Sequence, residues 1–317
     1  MVVRTQKKTL TRAARTEVRP TLGDLRNLQI SAALRVRYEG AVGRYFQFLE
    51  NNQQPLPGTD DDLDSSLSDY ICDLWDDGAS KSEAANVLSG VGKFIPGCKK
   101  SFPTAWALYT TWGRHELPDR AAPLPPELLK AMVSHSFIED GDRCFAALTL
   151  LSFHCLLRIS EGLNLKCKDI SFGDGEACLN LGFTKGGKRR GETESVTCSD
   201  PLLLSWLMRL VRRKDPCDCL FNLDYNRYIR LFHEKLIFFG ASGLNFKTHS
   251  LRRGGTTFEF KAHGSSDMIC QRGRWTSPRT ARLYITEAAE LHTRIQFSTF
   301  AKRQIRNFAT MFEKLSV

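Results

Sequence analysis

Four side chains in one stretch offer the parts of a reaction. His249 can donate or accept a proton, Arg252 is a permanent cation, Trp275 carries an indole N–H, and Tyr284 is a phenol nucleophile. The stretch runs HSLRRGGTTFEFKAHGSSDMICQRGRWTSPRTARLYI from His249 to Ile285. A protein that cuts a phosphodiester without a metal must neutralise the non-bridging oxygens, supply a nucleophile and protonate the departing oxygen. Arginine suits the first task, because its fork matches phosphate bidentately and its charge does not titrate away. Arg252 is one such residue, and Arg158, upstream in LLRISEGLNL, is the other. His249 lies three residues before Arg252, so on one helix both face the same side. It can bind the phosphate or exchange a proton with the attacking phenol. Trp275 offers its N–H and a flat wall to the pocket. Tyr284 attacks, and a phenol that titrates near about 10 needs nearby cations to favour its phenolate. Lys185, in FTKGGK, has the reach and acidity to protonate the leaving 5′ oxygen, and Lys188 on the same turn is the alternative acid.

Each residue also has a plain structural reading. Arg158 could cap a helix C-terminus, His249 could cap a helix start, Trp275 could be a core aromatic, and Tyr284 could pack among Ala281, Leu283 and Ile285. Taken together, those readings leave unexplained why the whole set falls in one order along a basic chain.

The elements that must position these groups can be read from periodicity. The chain has 317 residues, enough for two domains, and a 42% hydrophobic share that supports a core. Lys and Arg outnumber Asp and Glu by 45 to 35, for a net charge of +10, which points to a polyanion and first to nucleic acid. Residues 1–24 read as a basic arm, with Arg4, Lys7, Lys8, Arg12, Arg15 and Arg19 against Glu17. It could contact phosphates, serve as a nuclear or organelle address, or be a solvated tail. Residues 25–116 read as an all-helical domain. Apolar residues recur at helical spacing between Asn27 and Asn51, and a helix after the acidic run Asp60–Asp64 ends near Asp76. Another helix from Ser80 reaches about Phe94, and a fourth spans Thr104 to His115. The acidic run fits the positive end of a helix dipole better than a Mg²⁺ site. The proline-rich stretch 117–126 reads as a linker.

Residues 127–288 read as a second, mostly helical domain. Helices are expected at Glu127–His135 and Arg143–Leu157, followed by a turn at Arg158 and a short helix capped by Ser160. Three short strands follow, at Ile170–Phe172, Ala177–Thr184 and Glu192–Thr197, with Lys185–Lys188 as the tight turn joining the last two. Helices return near 200–214, 225–239, 248–262 and 265–272, and the segment 278–288 carries Tyr284. Residues 289–317 read as one long amphipathic helix, and its Leu291, Ile295, Phe297, Phe300, Ile305, Phe308 and Phe312 are expected to dock on a neighbouring protomer. The fold class is therefore mainly α, with one small antiparallel three-stranded sheet. Ten scattered cysteines, several inside apolar runs, suggest reduced thiols, and the lone close pair Cys217 and Cys219 lacks a second pair at zinc spacing. The longest apolar run, Ala146 to Leu157, is too short for a bilayer, so a soluble protein is expected. No cofactor or metal is called for.

The ordered set resembles the tyrosine recombinase, or phage integrase, family. Its catalytic domain carries Arg, Lys, His-x-x-Arg, His or Trp, then Tyr. These match Arg158, Lys185, His249, Arg252, Trp275 and Tyr284, and Glu161 matches the acid that supports the pocket. The spacings are family-like: 27 residues from Arg158 to Lys185, 23 from Arg252 to Trp275 and nine from Trp275 to Tyr284. The resemblance spans about 126–300, and the helical domain before it looks like a core-binding (SAM-like) domain. One departure stands out. Many relatives have His directly after the second Arg, where this chain has Arg253, Gly254 and Gly255. HSLRRGG with GRW looks more like recombinases of eukaryotic mobile elements, such as DIRS-type retrotransposons. The resemblance implies two domains closing on double-stranded DNA, a 3′-phosphotyrosine at Tyr284, a free 5′-hydroxyl, and a homotetramer that exchanges two duplexes through swapped C-terminal helices. It also implies an intracellular protein, nuclear if the source is eukaryotic and cytoplasmic if prokaryotic. A type IB topoisomerase and a non-catalytic DNA-binding descendant are the alternatives.

Overall fold

The computed structural model describes Asp24 and residues 27–316, apart from Pro96, Lys99, Lys100 and Asp140. The six cations read as a basic arm, Arg4 to Arg19, lie outside the described residues. The chain forms two compact units, with the division between Asp119 and Arg120.

The first unit is built from α1 (Ala32–Asn51), α2 (Asp60–Asp76), α3 (Lys81–Phe94) and α4 (Pro103–His115). Its core gathers Tyr45, Leu49, Leu67, Ile71, Leu88 and Trp112 from one stripe of each helix. The acidic run works at helix ends. Thr59 and Asp62 form a reciprocal capping box, and Asp60, Asp61 and Asp62 fill the first turn, where the helix dipole favours anions. Asp64 reaches across to accept the backbone N–H groups of Thr104 and Ala105 at 3.0 and 2.9 Å, satisfying the start of α4.

The second unit opens on an extended segment rather than a free connector. Ala122 N–H donates to Asn245 O at 2.8 Å, Leu124 N–H to Ser250 O at 3.0 Å, and Leu124 is fully buried. Then come α5 (Pro126–Ile138), α6 (Arg143–His154) and the short α7 (Ile159–Leu163). Arg158, not Ser160, is the N-cap residue of α7, and the Glu161 carboxylate accepts the Arg158 N–H at 2.9 Å. α6 is apolar on all sides and runs through the core. The sheet follows in the order β1 (Ile170–Gly173), β2 (Glu176–Gly182), β3 (Glu194–Cys198), all antiparallel. Alternation along β2 and β3 sends Ala177, Leu179 and Val196 inward. The remaining helices are α9 (Pro201–Arg212), α10 (Tyr225–Phe238), α11 (His249–His263), α12 (Ser266–Gly273), α13 (Pro278–Arg282), α14 (Glu287–Gln296) and α15 (Thr299–Met311).

Two expected features differ. The link between β2 and β3 is not a tight turn but a helix, α8 (Lys185–Arg190). Thr184 Oγ1 accepts the Gly187 N–H at 3.1 Å to start it, and Gly191 ends it at φ 69°, in the left-handed region glycine tolerates. Gly187 is there for close approach, since a Cβ would lie 2.4 Å from Glu192 O. The terminal segment is likewise two helices, not one. Ser298 breaks the run and caps α15, accepting the Ala301 N–H at 3.1 Å. α15 folds back within its own unit against α5, where Ala301 and Ile305 join the core and the Phe308 ring meets His135, Phe238 and Phe239. Leu291, Ile295 and Phe300 stay exposed. No helix among the described residues is long and apolar enough to cross a membrane.

Candidate active site

α11 carries His249 at its first position and Arg252 one turn on. What seats this helix is the glycine pair after Arg253. A Cβ on Gly254 would lie 2.1 Å from Leu124 O, and one on Gly255 2.1 Å from Phe153 O. Only glycine lets α11 approach the end of α6 this closely. The approach brings Arg252 against the chain just beyond α6. Its Nη1 donates to Leu156 O at 2.7 Å and its Nη2 to Gly273 O, so the guanidinium ties α11 to both α6 and α12. Arg252 is only 1% exposed. Burial, followed by the cations Arg274 and Arg158, pulls its pKa down to about 9, which leaves it charged at neutral pH.

Over this buried cation lie the two aromatic residues of the motif. The Arg252 guanidinium sits 4.6 Å from the Trp275 ring centre and 5.9 Å from the Tyr284 ring, and the two rings are 4.7 Å apart. Arg253 approaches the Tyr284 ring at 5.9 Å as well. Gly273 makes this possible, since a Cβ there would strike the Trp275 ring at 1.8 Å. Tyr284 stands just beyond α13 and is pinned through its backbone. Thr257 Oγ1, on α11, lies 3.1 Å from Tyr284 O and accepts the Thr286 N–H at 3.2 Å.

Arg158 enters through Glu161. The Glu161 carboxylate pairs with the Arg158 guanidinium, lies 3.9 Å from Arg252 Nη1 and accepts from Arg274 Nη2 at 2.8 Å. Burial alone would raise the Glu161 pKa, but Arg274, the Arg158 N–H and the Arg158 guanidinium hold it below the ordinary carboxylate value. His249 shifts downward too. Burial comes first, then Arg252, Arg158 and Arg253, all of which oppose a second positive charge. Burial and these cations therefore favour the neutral imidazole over the imidazolium.

The structure thus brings Arg158, Glu161, His249, Arg252, Trp275 and Tyr284 into one neighbourhood of the second unit. Lys185 opens α8 and Lys188 follows on the same helix; their side chains lie outside what is described. Sequence reasoning missed Arg274 and Glu194. In the sequence Arg274 is only the middle letter of GRW, yet its side chain is only 7% exposed and hydrogen-bonds Glu161, and it lies 3.4 Å from Glu194. Nothing in the local pattern marks a buried arginine there.

Arginine, carboxylate, imidazole and phenol in this order can hold a phosphodiester, attack it and move protons around it. No protein-family model matches the chain, and no curated protein matches it by sequence. Solved structures do. The chain is similar to the Tn1549 transposon integrase in complex with transposon right end DNA, at TM-score 0.56 and 14% identity over 89% of this chain and 96% of that one. The same integrase with circular intermediate DNA aligns at TM-score 0.54 and 13% identity over 83% and 99%. A lambda integrase dimer bound to a COC′ core site aligns at TM-score 0.53 and 15% identity over 85% and 93%.

Proposed function

We propose, from the premise that this chain has the tyrosine recombinase fold, that it is a site-specific DNA recombinase of a mobile element. The observation that supports this most directly is the gathering of the Trp275 and Tyr284 rings over the buried Arg252, with Glu161 connecting that cluster to Arg158. Double-stranded DNA is the substrate. Arg158 and Arg252 hold the non-bridging oxygens of the scissile phosphate. The Tyr284 oxygen bonds to phosphorus as its proton passes to His249 or water, the bond from phosphorus to the 5′ oxygen breaks, and that oxygen takes a proton from the Lys185 ammonium. The 3′-phosphotyrosine keeps the bond energy, so the free 5′-hydroxyl of a partner strand can reverse the step. Exchange of two duplexes takes four protomers, and the exposed Leu291, Ile295 and Phe300 supply an apolar surface for contact between them. The HSLRRGG and GRW motifs make a DIRS-like element part of the proposal.

The test begins with a duplex selected by the Tyr284→Phe protein from a random-core library, then rebuilt with a nick just 3′ of the cleavage position. The wild-type protein is expected to become covalently trapped on it, and Tyr284→Phe is not. Absence of a covalent complex on the selected duplex would refute the enzyme reading and favour the DNA-binding alternative. Intact selected duplexes should give four-way junctions, whereas relaxation of supercoils without junctions would point to a type IB topoisomerase.

A further inference from the structure

Two residues of the second unit sit in the left-handed region without being glycine and touch each other at the site. Leu156 has φ 51° and Arg274 φ 58°, and Arg274 Nη2 donates to Leu156 O at 3.3 Å. For an L-residue that conformation costs roughly 1–2 kcal/mol. It persists where surrounding contacts hold it, and such strain gathers at functional sites.

The contacts of Arg274 come from three separate segments. Besides Leu156 O, its guanidinium meets Glu161 Oε2 at 2.8 Å and Glu194 Oε2 at 3.4 Å. Both carboxylates are nearly buried, at 9% and 6% exposure, so a cation between them offsets a large desolvation penalty. Each also holds a further element. Glu161 takes the Arg158 N–H and pairs with its guanidinium. Glu194 accepts the Thr184 hydroxyl at 2.6 Å, and Thr184 is the residue that caps α8, whose first residue is Lys185. Arg274 itself immediately precedes Trp275. One planar, five-donor side chain therefore spans the Arg158 turn, the base of the Lys185 helix and the segment leading to the nucleophile. Lysine, with a point charge and no fork, could not span them.

We propose that Arg274 is a positioning residue for strand cleavage: it bridges Glu161 and Glu194, and so fixes α8, with Lys185 at its start, relative to the phosphate-binding arginines. Arg274 need not touch the DNA. This rests on the recombinase reading, in which Tyr284 oxygen bonds to phosphorus and Lys185 gives its proton to the departing 5′ oxygen. A duplex with sulfur in place of that 5′ bridging oxygen releases a thiolate, which needs no proton to leave. Misplacing the acid should therefore slow cleavage of the oxygen substrate and spare the sulfur one.

Nicked duplexes of the selected sequence, one with bridging oxygen and one with bridging sulfur, give the experiment. The variants are Arg274→Gly, which relieves the backbone strain, and Arg274→Lys, which keeps the charge; Lys185→Ala is the benchmark. Arg274→Gly is expected to lose about 10²-fold in trapping rate on oxygen, the low end for general acid–base catalysis, and less than about tenfold on sulfur. Its affinity for the duplex should stay within about threefold, since the phosphate-binding groups remain. Arg274→Lys should not rescue the rate. In the free protein, amide exchange should quicken at residues 184–190 in Arg274→Gly while α9 keeps its protection. Equal losses on oxygen and sulfur, rescue by Arg274→Lys, or unchanged exchange at 184–190 would each overturn the proposal. Wild-type failure to trap either duplex would instead overturn the recombinase reading, and the exchange measurement would still test the bridge.

Discussion

Adding one methyl group at Gly255 should damage both stability and cleavage. A Cβ there would lie 2.1 Å from Phe153 O, 2.9 Å from Leu156 Cδ2 and 3.0 Å from Phe153 C. Two of the three neighbours are backbone, so no side chain can swing away. To reach ordinary contact α11 must back off from the end of α6 by about 1.3 Å, a shift that a close-packed interior transmits. Arg252 rides on that helix one turn earlier, with Nη1 now 2.7 Å from Leu156 O. The same displacement would stretch the bond to roughly 4 Å, beyond a hydrogen bond. Overpacking costs about 1–3 kcal/mol, and losing a hydrogen bond to a charged group about 1.5–3 kcal/mol. Alanine returns up to about 1 kcal/mol of helix propensity. The net expectation for Gly255→Ala is a loss of about 1.5–5 kcal/mol, read as a lower urea midpoint at unchanged slope. At denaturant-free conditions, where the protein is still folded, trapping on the nicked duplex should slow by about 10–100-fold, a barrier of about 1.4–2.8 kcal/mol. Gly243 is the control. A Cβ there meets nothing within 4 Å and its φ is ordinary, so Gly243→Ala should leave both readings nearly unchanged. A Gly255→Ala protein with wild-type midpoint and trapping rate would refute the argument that the glycine pair sets the seat of Arg252.

Two further outcomes follow from the charges around the site. An NMR titration of the free protein should find His249 with a midpoint below the ordinary imidazole value of 6.5, and Arg158→Ala should move it upward, because Arg158 is among the cations that disfavour the imidazolium. A midpoint at or above 6.5 would contradict the placement of His249 beside those arginines. Glu161 binds protons less readily when folded than unfolded, so its contribution to stability is complete above the ordinary carboxylate range and disappears as pH falls through its lowered folded value. The urea midpoint should therefore drop below about pH 4.3 in the wild type. Glu161→Gln should show a smaller drop and, from the unpaired buried arginines it leaves, a loss on the order of 3 kcal/mol at neutral pH. Parallel pH curves for the two proteins would count against Glu161 as the carboxylate that balances this cluster.

Much of the molecule could be read from the chain alone, because the signals are local. Helical periodicity and capping residues placed most helices, alternation placed the three strands, and the order Arg158, Lys185, His249, Arg252, Trp275, Tyr284 named the groups able to handle a phosphodiester. Each depends on residues a few positions apart, or on residue type itself. The errors arose where distant groups decide. Lys185–Lys188 looks like a hairpin turn because two glycines suggest one, yet Thr184 and Gly191 cap it as a helix, and Thr184 is also held by Glu194 on the next strand. The terminal run looks continuous because its apolar stripe persists through Ser298, and only packing of α15 on α5 turns that serine into a cap. Arg274 is the sharpest case. In the sequence it is one of many surface-like arginines in a basic chain. Its burial, its left-handed backbone and its bridge between Glu161 and Glu194 exist only once α7, α12 and β3 meet. The sequence by itself determined which chemical groups are present and in what order. Tertiary structure decided which cation is buried among which carboxylates, because desolvation and pairing energies depend on neighbours that may be more than a hundred residues away along the chain.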